Sequence, residues 1–137
     1  MIGSKTGMET LGIWVGLNLF LTLMLALNVT RIRVTLGVGI GSGESEQLDR
    51  AIRAHGNNIE YTPLALLGLA ILAWTGLSNM FIHILGGGLL LGRLLHAVGI
   101  QNTEAALPLP RVIGNFITWG VFFFVALLLV ARDLGFS

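Results

Sequence analysis

The segment LDRAIRAHGNNIEYTP, from Leu48 to Pro63, carries a row of side chains suited to binding chemistry. Its spacings of three, four and three residues place four polar groups on one face of a helix, namely Arg50, Arg53, Asn57 and Glu60. A guanidinium binds a carboxylate through two hydrogen bonds, an asparagine amide donates and accepts, and a glutamate binds an ammonium group. This face therefore fits a zwitterionic, peptide-like ligand.

A second interpretation of the same residues stays open. Arg53 and Glu60 could pair with each other or with other helices, or extend to water from a helix end, without any ligand. Ionisable groups within a membrane segment are nevertheless a functional hypothesis by default.

The composition indicates that lipid is the solvent for much of this chain. Of 137 residues, 54% are hydrophobic and 11% charged, with a mean hydropathy of +0.83, whereas soluble domains are about 25% charged. The net charge of +1 argues against a nucleic-acid partner. The chain has no cysteine, which excludes disulfides and thiolate metal sites, and its scattered histidines predict no metal site.

Four segments predict helices that position these residues, over about 8–35, 45–75, 80–99 and 109–132. Helices are the form in which a chain satisfies its backbone inside lipid. Ser45 or Glu44 is suited to cap the second helix, and Pro108 and Pro110 mark the start of the fourth. No cleavage site follows the first segment, so we interpret it as a membrane helix. We expect an all-α integral membrane protein, a four-transmembrane-helix bundle in one domain over residues 1–137.

The arginines are distributed unevenly between the two ends of this bundle. One side holds Lys5 and Arg132, and the other holds Arg31, Arg33, Arg50, Arg53, Arg93 and Arg111. The positive-inside rule places the second group in the cytoplasm.

Small and polar residues predict how the helices pack. Gly12 and Gly16, like Gly88 and Gly92, have the spacing that lets membrane helices approach closely, within a protomer or between protomers. Asn18 is expected to form a hydrogen bond across helices. A bundle of four glycine-rich helices is thin, and the polar face of the second helix must be buried somewhere. This favours an oligomer.

Three motifs in order resemble the MAPEG family, the membrane-associated proteins of eicosanoid and glutathione metabolism, in a bacterial-type member. They are RAHGNNIEYTP, GRLLHAVG from Gly92 to Gly99, and PRVIGNFITW from Pro110 to Trp119. The resemblance extends from about Leu11 to Ala131. It implies a four-helix protomer assembled as a homotrimer, with glutathione between protomers near the cytoplasmic boundary.

On the second helix, the resemblance assigns glutathione binding to Arg53, Asn57 and Glu60, with Glu60 as the partner of the γ-glutamyl amine. Tyr61 matches a tyrosine of the leukotriene synthase branch, and Arg50, on the same face, is included in the predicted binding set. Gly56 stands where some members carry a larger side chain, which removes one contact.

Other helices supply the remaining predicted site residues. Arg93 matches an arginine that holds the peptide, His96 matches the histidine of the prostaglandin branch, and Arg31 matches an arginine reaching across from a neighbour. Arg111 matches the arginine that faces the glutathione sulfur and is the predicted catalytic residue. Ile100 stands where the better-known members keep a tyrosine, so one hydroxyl near the ligand is missing.

These residues predict a glutathione-dependent membrane transferase or peroxidase, with glutathione as co-substrate, that acts on lipophilic electrophiles or hydroperoxides from the bilayer. The thiol of glutathione has a pKa near ~8.5, and a guanidinium within hydrogen-bond distance stabilises its thiolate. The arginine at the start of the fourth helix also benefits from the helix dipole. The alternatives are a non-catalytic lipid-binding scaffold of the same family, and a small transport or structural bundle. We expect a multi-pass protein of the inner membrane with its site on the cytoplasmic side.

Overall fold

A computed structural model describes residues 6–101 and 108–135 of the chain. It contains four α-helices: α1 (Gly7–Leu36), α2 (Glu46–Trp74), α3 (Asn79–Gln101) and α4 (Leu109–Asp133). The predicted all-α, four-helix architecture is confirmed, and every helix boundary lies within two residues of its predicted position.

Side chains and prolines fix where the helices begin. Thr6 caps α1 in a capping box, accepting from the Glu9 amide at 3.2 Å while the Glu9 carboxylate accepts from the Thr6 amide at 2.7 Å. Ser45 caps α2 by accepting from the amide three residues further on, at 3.3 Å. Pro108 occupies the N-cap position of α4, with Pro110 in the first turn, as the sequence predicts.

The loop after α1 is held in shape by an arginine of that helix. Gly37 ends α1 in the left-handed conformation, with φ of 67°, which glycine adopts without strain. The Arg33 Nη1 then donates to the backbone oxygens of Val38, Gly39 and Gly41, at 3.4, 3.3 and 2.9 Å. The glycine-rich segment is therefore an organised loop that uses the Arg33 charge internally.

Three of the four helices, α1, α3 and α4, are long and apolar enough to cross a membrane. The predicted four-transmembrane-helix bundle is therefore confirmed for three helices, whereas α2 is less apolar than the other three because its first half carries the polar face that begins at Arg50. Its apolar half, from Leu64 to Trp74, accounts for only part of a span, which needs about 20 residues.

Helices α2 and α3 form the centre of the bundle. They contact each other, and each also contacts both α1 and α4, whereas α1 and α4 do not meet within the described residues. The main hydrophobic core lies towards the end of the bundle that holds the turn between α2 and α3, away from the arginine-rich end, and includes Leu69, Leu72, Leu85, Leu89 and Val121. Smaller apolar clusters continue towards the polar end.

Glycines let α3 and α4 approach at backbone contact. A Cβ added to Gly92 would lie 2.7 Å from the Thr118 hydroxyl, and one added to Gly114 would lie 2.5 Å from the Gly92 oxygen. By contrast, Cβ atoms at Gly12 and Gly16 would meet nothing within 4 Å. The Gly88–Gly92 motif therefore packs within the protomer, while Gly12 and Gly16 lie on open surface of α1.

The prediction that Asn18 bonds across helices is wrong. Its amide nitrogen donates to the Trp14 backbone oxygen of its own helix, at 2.8 Å. The bridge between α1 and α2 is made one turn away, where Asn58 Nδ2 donates to the Thr22 hydroxyl at 2.8 Å and Asn58 Oδ1 accepts from Thr62 at 3.2 Å. The side-chain amide nitrogen of Asn18 therefore has its partner within α1 and needs none on another helix.

Candidate functional site

Arg93 is the centre of a polar cluster between α2 and α3. Its side chain is 1% exposed, and its Nη2 donates to Asn57 Oδ1 at 2.5 Å. The guanidinium carbon lies 5.3 Å from the centre of the Tyr61 ring, in a cation–π contact. Two residues of α2, four positions apart on one face, therefore hold the Arg93 guanidinium from two directions.

The Arg93 guanidinium retains unused hydrogen-bonding capacity. Its Nε and Nη1 are buried and have no hydrogen-bond partner in the described structure. The same is true of Nδ1 of His96, which lies one helical turn further along α3 and is 2% exposed. Buried polar groups without partners are costly, and a buried cation more so. The Arg93 guanidinium therefore has two donors for an anionic group, and His96 adds a nitrogen that can donate or accept.

Charged residues from α2 and α4 lie within electrostatic range of this pair. Glu60 acts electrostatically on Arg93, and Arg111 and Arg53 act on His96 together with Arg93 itself. We call these seven residues the Arg93 cluster: Arg53, Asn57, Glu60, Tyr61, Arg93, His96 and Arg111. With three arginines and one carboxylate, the cluster has an excess of positive charge and one group of opposite sign, as a zwitterionic ligand with net negative charge would require.

Arg53 and Glu60 are exposed on α2, seven residues apart. They form no ion pair with each other in the described part of the chain. The interpretation that these two charges simply neutralise one another is therefore wrong for this protomer, and both remain accessible to an external group.

Backbone contacts fix the start of α4 against the end of α3. Arg111 lies in the first turn of α4 and is half-buried. A Cβ added to Gly99 would lie 2.5 Å from the Arg111 amide nitrogen, and one added to Gly114 would lie 2.6 Å from that of His96. The absence of side chains at these two glycines thus sets the distance between Arg111 and the α3 residues of the cluster.

Two predicted site residues, Arg50 and Arg31, lie outside the Arg93 cluster. Arg50 pairs with Glu46 at 3.1 Å, one turn earlier in α2. Arg31 lies three residues beyond Asn28, which donates to Gln101 at 2.6 Å, and Arg93 lies eight residues before Gln101. At 1.5 Å per residue, Arg31 and Arg93 are separated by about 16 Å along the bundle axis.

An apolar groove begins beside the cluster and runs between α2 and α4. Its volume is about 280 Å³, and it is lined by Leu64, Ala65, Leu67, Gly68, Ile71, Phe122, Val125, Ala126 and Leu129. At the end of the groove nearest the Arg93 cluster, the Phe122 ring packs edge-on against Tyr61, with the ring centres 5.6 Å apart. Tyr61 therefore contacts both the buried guanidinium and the wall of a groove that can take an apolar group.

Sequence reasoning missed the structural role of Asn58, although the sequence contained a signal. Ala51, Ala54, Asn58, Thr62 and Ala65 recur at spacings of three and four, and all are buried. This second face of small residues lies about 100° round the helix from the charged one and packs against α1. Asn58 therefore anchors α2, while its neighbour Asn57 belongs to the site.

The comparisons with known proteins agree with this architecture. The sequence profile of the MAPEG family matches residues 11–131. The "Inner membrane protein YecN" of Escherichia coli strain K12 is 39% identical over 56 residues, which is 41% of this chain and 43% of that protein. The protein of the same name from Escherichia coli O6:H1 strain CFT073 matches equally. The chain thus aligns with less than half the length of these relatives, and no solved structure matches it significantly.

Proposed function

Since the chain belongs to the MAPEG family and is a multi-pass membrane protein, we propose that it is a glutathione-dependent transferase or peroxidase. Its Arg93 cluster binds glutathione, and Arg111 activates the thiol for attack on lipophilic electrophiles or hydroperoxides. Relatives such as YecN are named only by location, so the proposal rests on the residues of this chain and on the family.

The observation that carries the proposal is the incompletely paired guanidinium of Arg93. It is buried in a membrane-spanning helix, held by Asn57 and Tyr61, and still has two nitrogens without partners. A charge in such a position is expensive unless it is paired. A carboxylate of glutathione would provide acceptors for Nε and Nη1 once the side chains that cover these atoms move aside, and its binding would offset part of the cost of burying Arg93.

The other charges of the cluster suit the remaining groups of the peptide. Glu60 is exposed and free to bind the γ-glutamyl ammonium, while Arg53, seven residues earlier on the same helix, suits a second carboxylate. His96 adds a nitrogen that lacks a partner beside Arg93. One ligand with two carboxylates and one ammonium group would therefore match the charges of the site.

Arg111 is the residue that we assign to thiolate formation. A guanidinium stabilises the anion after the thiol proton passes to water, and the N-terminal end of α4 adds a favourable dipole. In conjugation the thiolate sulfur forms a bond to an electrophilic carbon, and the electrons leave to the displaced group or to a conjugated carbonyl. In peroxide reduction two glutathione molecules supply two electrons, giving an alcohol, water and glutathione disulfide.

The lipophilic substrate would approach through the α2–α4 groove, because this groove opens beside Tyr61 and is almost wholly apolar. We place the site on the cytoplasmic side, where the positive-inside rule puts the arginine-rich end of the bundle. A homotrimer would cover the exposed apolar faces of α1, including Gly12 and Gly16, and would close the exposed side of the cluster that holds Arg53 and Glu60.

Glutathione titration of the purified protein tests the proposal. The wild type should bind glutathione and show the ultraviolet absorbance of the thiolate near neutral pH, and Arg111→Ala should bind glutathione without that absorbance. Arg132→Ala, at the opposite end of the bundle, is the control and should behave as wild type. Absence of glutathione binding to the wild type would refute the proposal, whereas thiolate formation without turnover of any electrophile or hydroperoxide would favour a non-catalytic family member.

A further inference from the structure

A second cavity lies where α1 leaves the membrane, away from the Arg93 cluster. Its volume is about 260 Å³, and it is lined by Arg31, Ile32, Thr35, Leu36 and Gln47. We propose that this cavity binds the phosphate of an anionic phospholipid headgroup, with the Arg31 guanidinium and the Gln47 amide as its donors.

The length of α1 places this cavity at headgroup level. Large apolar side chains are exposed along α1 from Met8 to Leu27, a span of about 28 Å at 1.5 Å per residue, which is close to the ~30 Å of bilayer hydrocarbon. Arg31 lies one turn beyond Leu27, about 6 Å further along the axis. Lipid phosphates occupy this depth.

Two of the donors that line the cavity are free. The Arg31 and Gln47 side chains are exposed and form no hydrogen bond or ion pair with any described residue, whereas the Thr35 hydroxyl donates to the Arg31 backbone oxygen at 3.0 Å. Neighbouring cations are engaged otherwise, since Arg33 holds the glycine-rich loop and Arg50 pairs with Glu46. Arg31 is therefore available to an external anion.

Acidic side chains do not line this cavity. Those nearby, Glu44, Glu46 and Asp49, line a separate surface depression together with Arg50. The electrostatic environment of the Arg31 cavity thus combines one guanidinium and one amide without a carboxylate, which is complementary to a phosphate oxygen.

Exposed apolar residues beside the cavity favour a lipid over free phosphate. Val34 is 78% exposed and Ile40 is 94% exposed, although both lie beyond the apolar span of α1. The hydrogen bonds from Arg33 to the loop hold Ile40 in this outward position. Apolar side chains next to a basic residue gain free energy by entering the boundary between headgroups and acyl chains. A soluble anion would leave them in water.

Native mass spectrometry of the full-length protein in detergent tests the headgroup preference. The probes are phosphatidylglycerol and phosphatidylcholine with identical acyl chains, each supplied at the same concentration. The wild type should retain phosphatidylglycerol preferentially, and Arg31→Gln should lower that preference about fivefold, the effect of one basic residue near an anionic surface. Arg50→Gln removes the same charge at the same side of the membrane but from an ion pair, and should keep the preference.

Three outcomes would overturn the proposal. The first is equal retention of the two lipids by the wild type, and the second is an equal loss of preference in the Arg31 and Arg50 variants. The third is displacement of phosphatidylglycerol by millimolar inorganic phosphate, which would show a free-anion site. Gln47→Ala separates this proposal from the one above, because Gln47 lines the cavity and is not among the predicted glutathione-binding residues. It should lower the phosphatidylglycerol preference and leave glutathione binding unchanged, whereas lost glutathione binding with unchanged lipid preference would assign this cavity to a neighbour's glutathione site instead.

A fluorescence measurement tests the position of the loop independently. Because the chain has no cysteine, Ile40→Cys introduces a single labelling site for an environment-sensitive fluorophore. In vesicles containing phosphatidylglycerol, the label at residue 40 should emit as in an apolar medium and be quenched by brominated lipid, while a label at Glu44→Cys should emit as in water. Water-like emission from residue 40 would contradict the placement at the lipid boundary.

Discussion

Arg93 and Asn57 are joined by a hydrogen bond of 2.5 Å across the contact between α3 and α2, and this bond orients a buried guanidinium that is otherwise only partly satisfied. Asn57 occupies one nitrogen, the Tyr61 ring covers one face, and the remaining donors have no partner among the described residues. The site is thus held in shape before a ligand arrives, at a cost to the ligand-free protein.

That cost gives the first prediction. Arg93→Met should abolish glutathione binding, yet the ligand-free variant should unfold at the same temperature as wild type or a higher one, because a buried charge with unused donors has been removed. Thermal unfolding in detergent with and without glutathione checks both parts. A large loss of stability without ligand would show that Arg93 is structural.

A second prediction concerns Tyr61, which contacts the Arg93 guanidinium through its ring. Tyr61→Phe should keep most of the glutathione affinity, whereas Tyr61→Leu should weaken it by about 0.5–2 kcal/mol through loss of the cation–π contact. Calorimetric titration measures both. Equal losses in the two variants would assign the effect to the hydroxyl instead of the ring.

Glu60 provides a third test, because it is the carboxylate of the cluster and lies open to the outside. Glu60→Ala should weaken glutathione binding by about 1.5–3 kcal/mol, the usual contribution of a charged hydrogen bond. A glutathione analogue that lacks the γ-glutamyl amine should bind the wild type more weakly than glutathione does, by a similar free energy. The Glu60→Ala variant should bind the analogue and glutathione with nearly equal affinity. Glu44→Ala, which removes an exposed carboxylate in the loop, should leave both affinities unchanged.

The fourth prediction follows from the contact between Gly99 and Arg111. Gly99→Ala places a methyl group 2.5 Å from the Arg111 amide, so the start of α4 must move away from α3. We expect a loss of about 1–3 kcal/mol in stability and a weaker thiolate absorbance with bound glutathione. Gly120→Ala is the matched control in α4, since a Cβ there meets nothing within 4 Å. Equal effects of the two variants would exclude a specific role for the α3–α4 contact.

Much of the fold could be predicted from local signals. Helix starts are set by side chains adjacent in sequence, such as Ser45 and Pro108, and apolar runs give the lengths. The alignment of Asn57 with Arg93 could not be predicted, because it depends on how far α3 is displaced along α2. The pairing of Arg50 with Glu46 could have been predicted, since the two are four residues apart.

The residues of the predicted polar face share one helix, but they occupy different environments. Spacing alone cannot show that Asn57 is half-buried while Arg53 and Glu60, on the same helix, are exposed. That difference arises because α3 covers one edge of the face and leaves the other open. The error about Asn18 has a related cause, because sequence spacing does not show whether an asparagine side chain bonds a carbonyl of its own helix or a group on another helix.

The polar first half of α2 has a consequence for how the protein enters the membrane. An isolated α2 would carry Arg53, Asn57 and Glu60 against lipid near the cytoplasmic boundary, where charged side chains without partners are costly. Helix α3 is apolar enough to insert, follows after a short turn, and supplies Arg93 as a partner for Asn57. Biogenesis should therefore proceed with α2 and α3 inserting together as a helical hairpin, so that synthesis of α2 alone leaves it outside the bilayer.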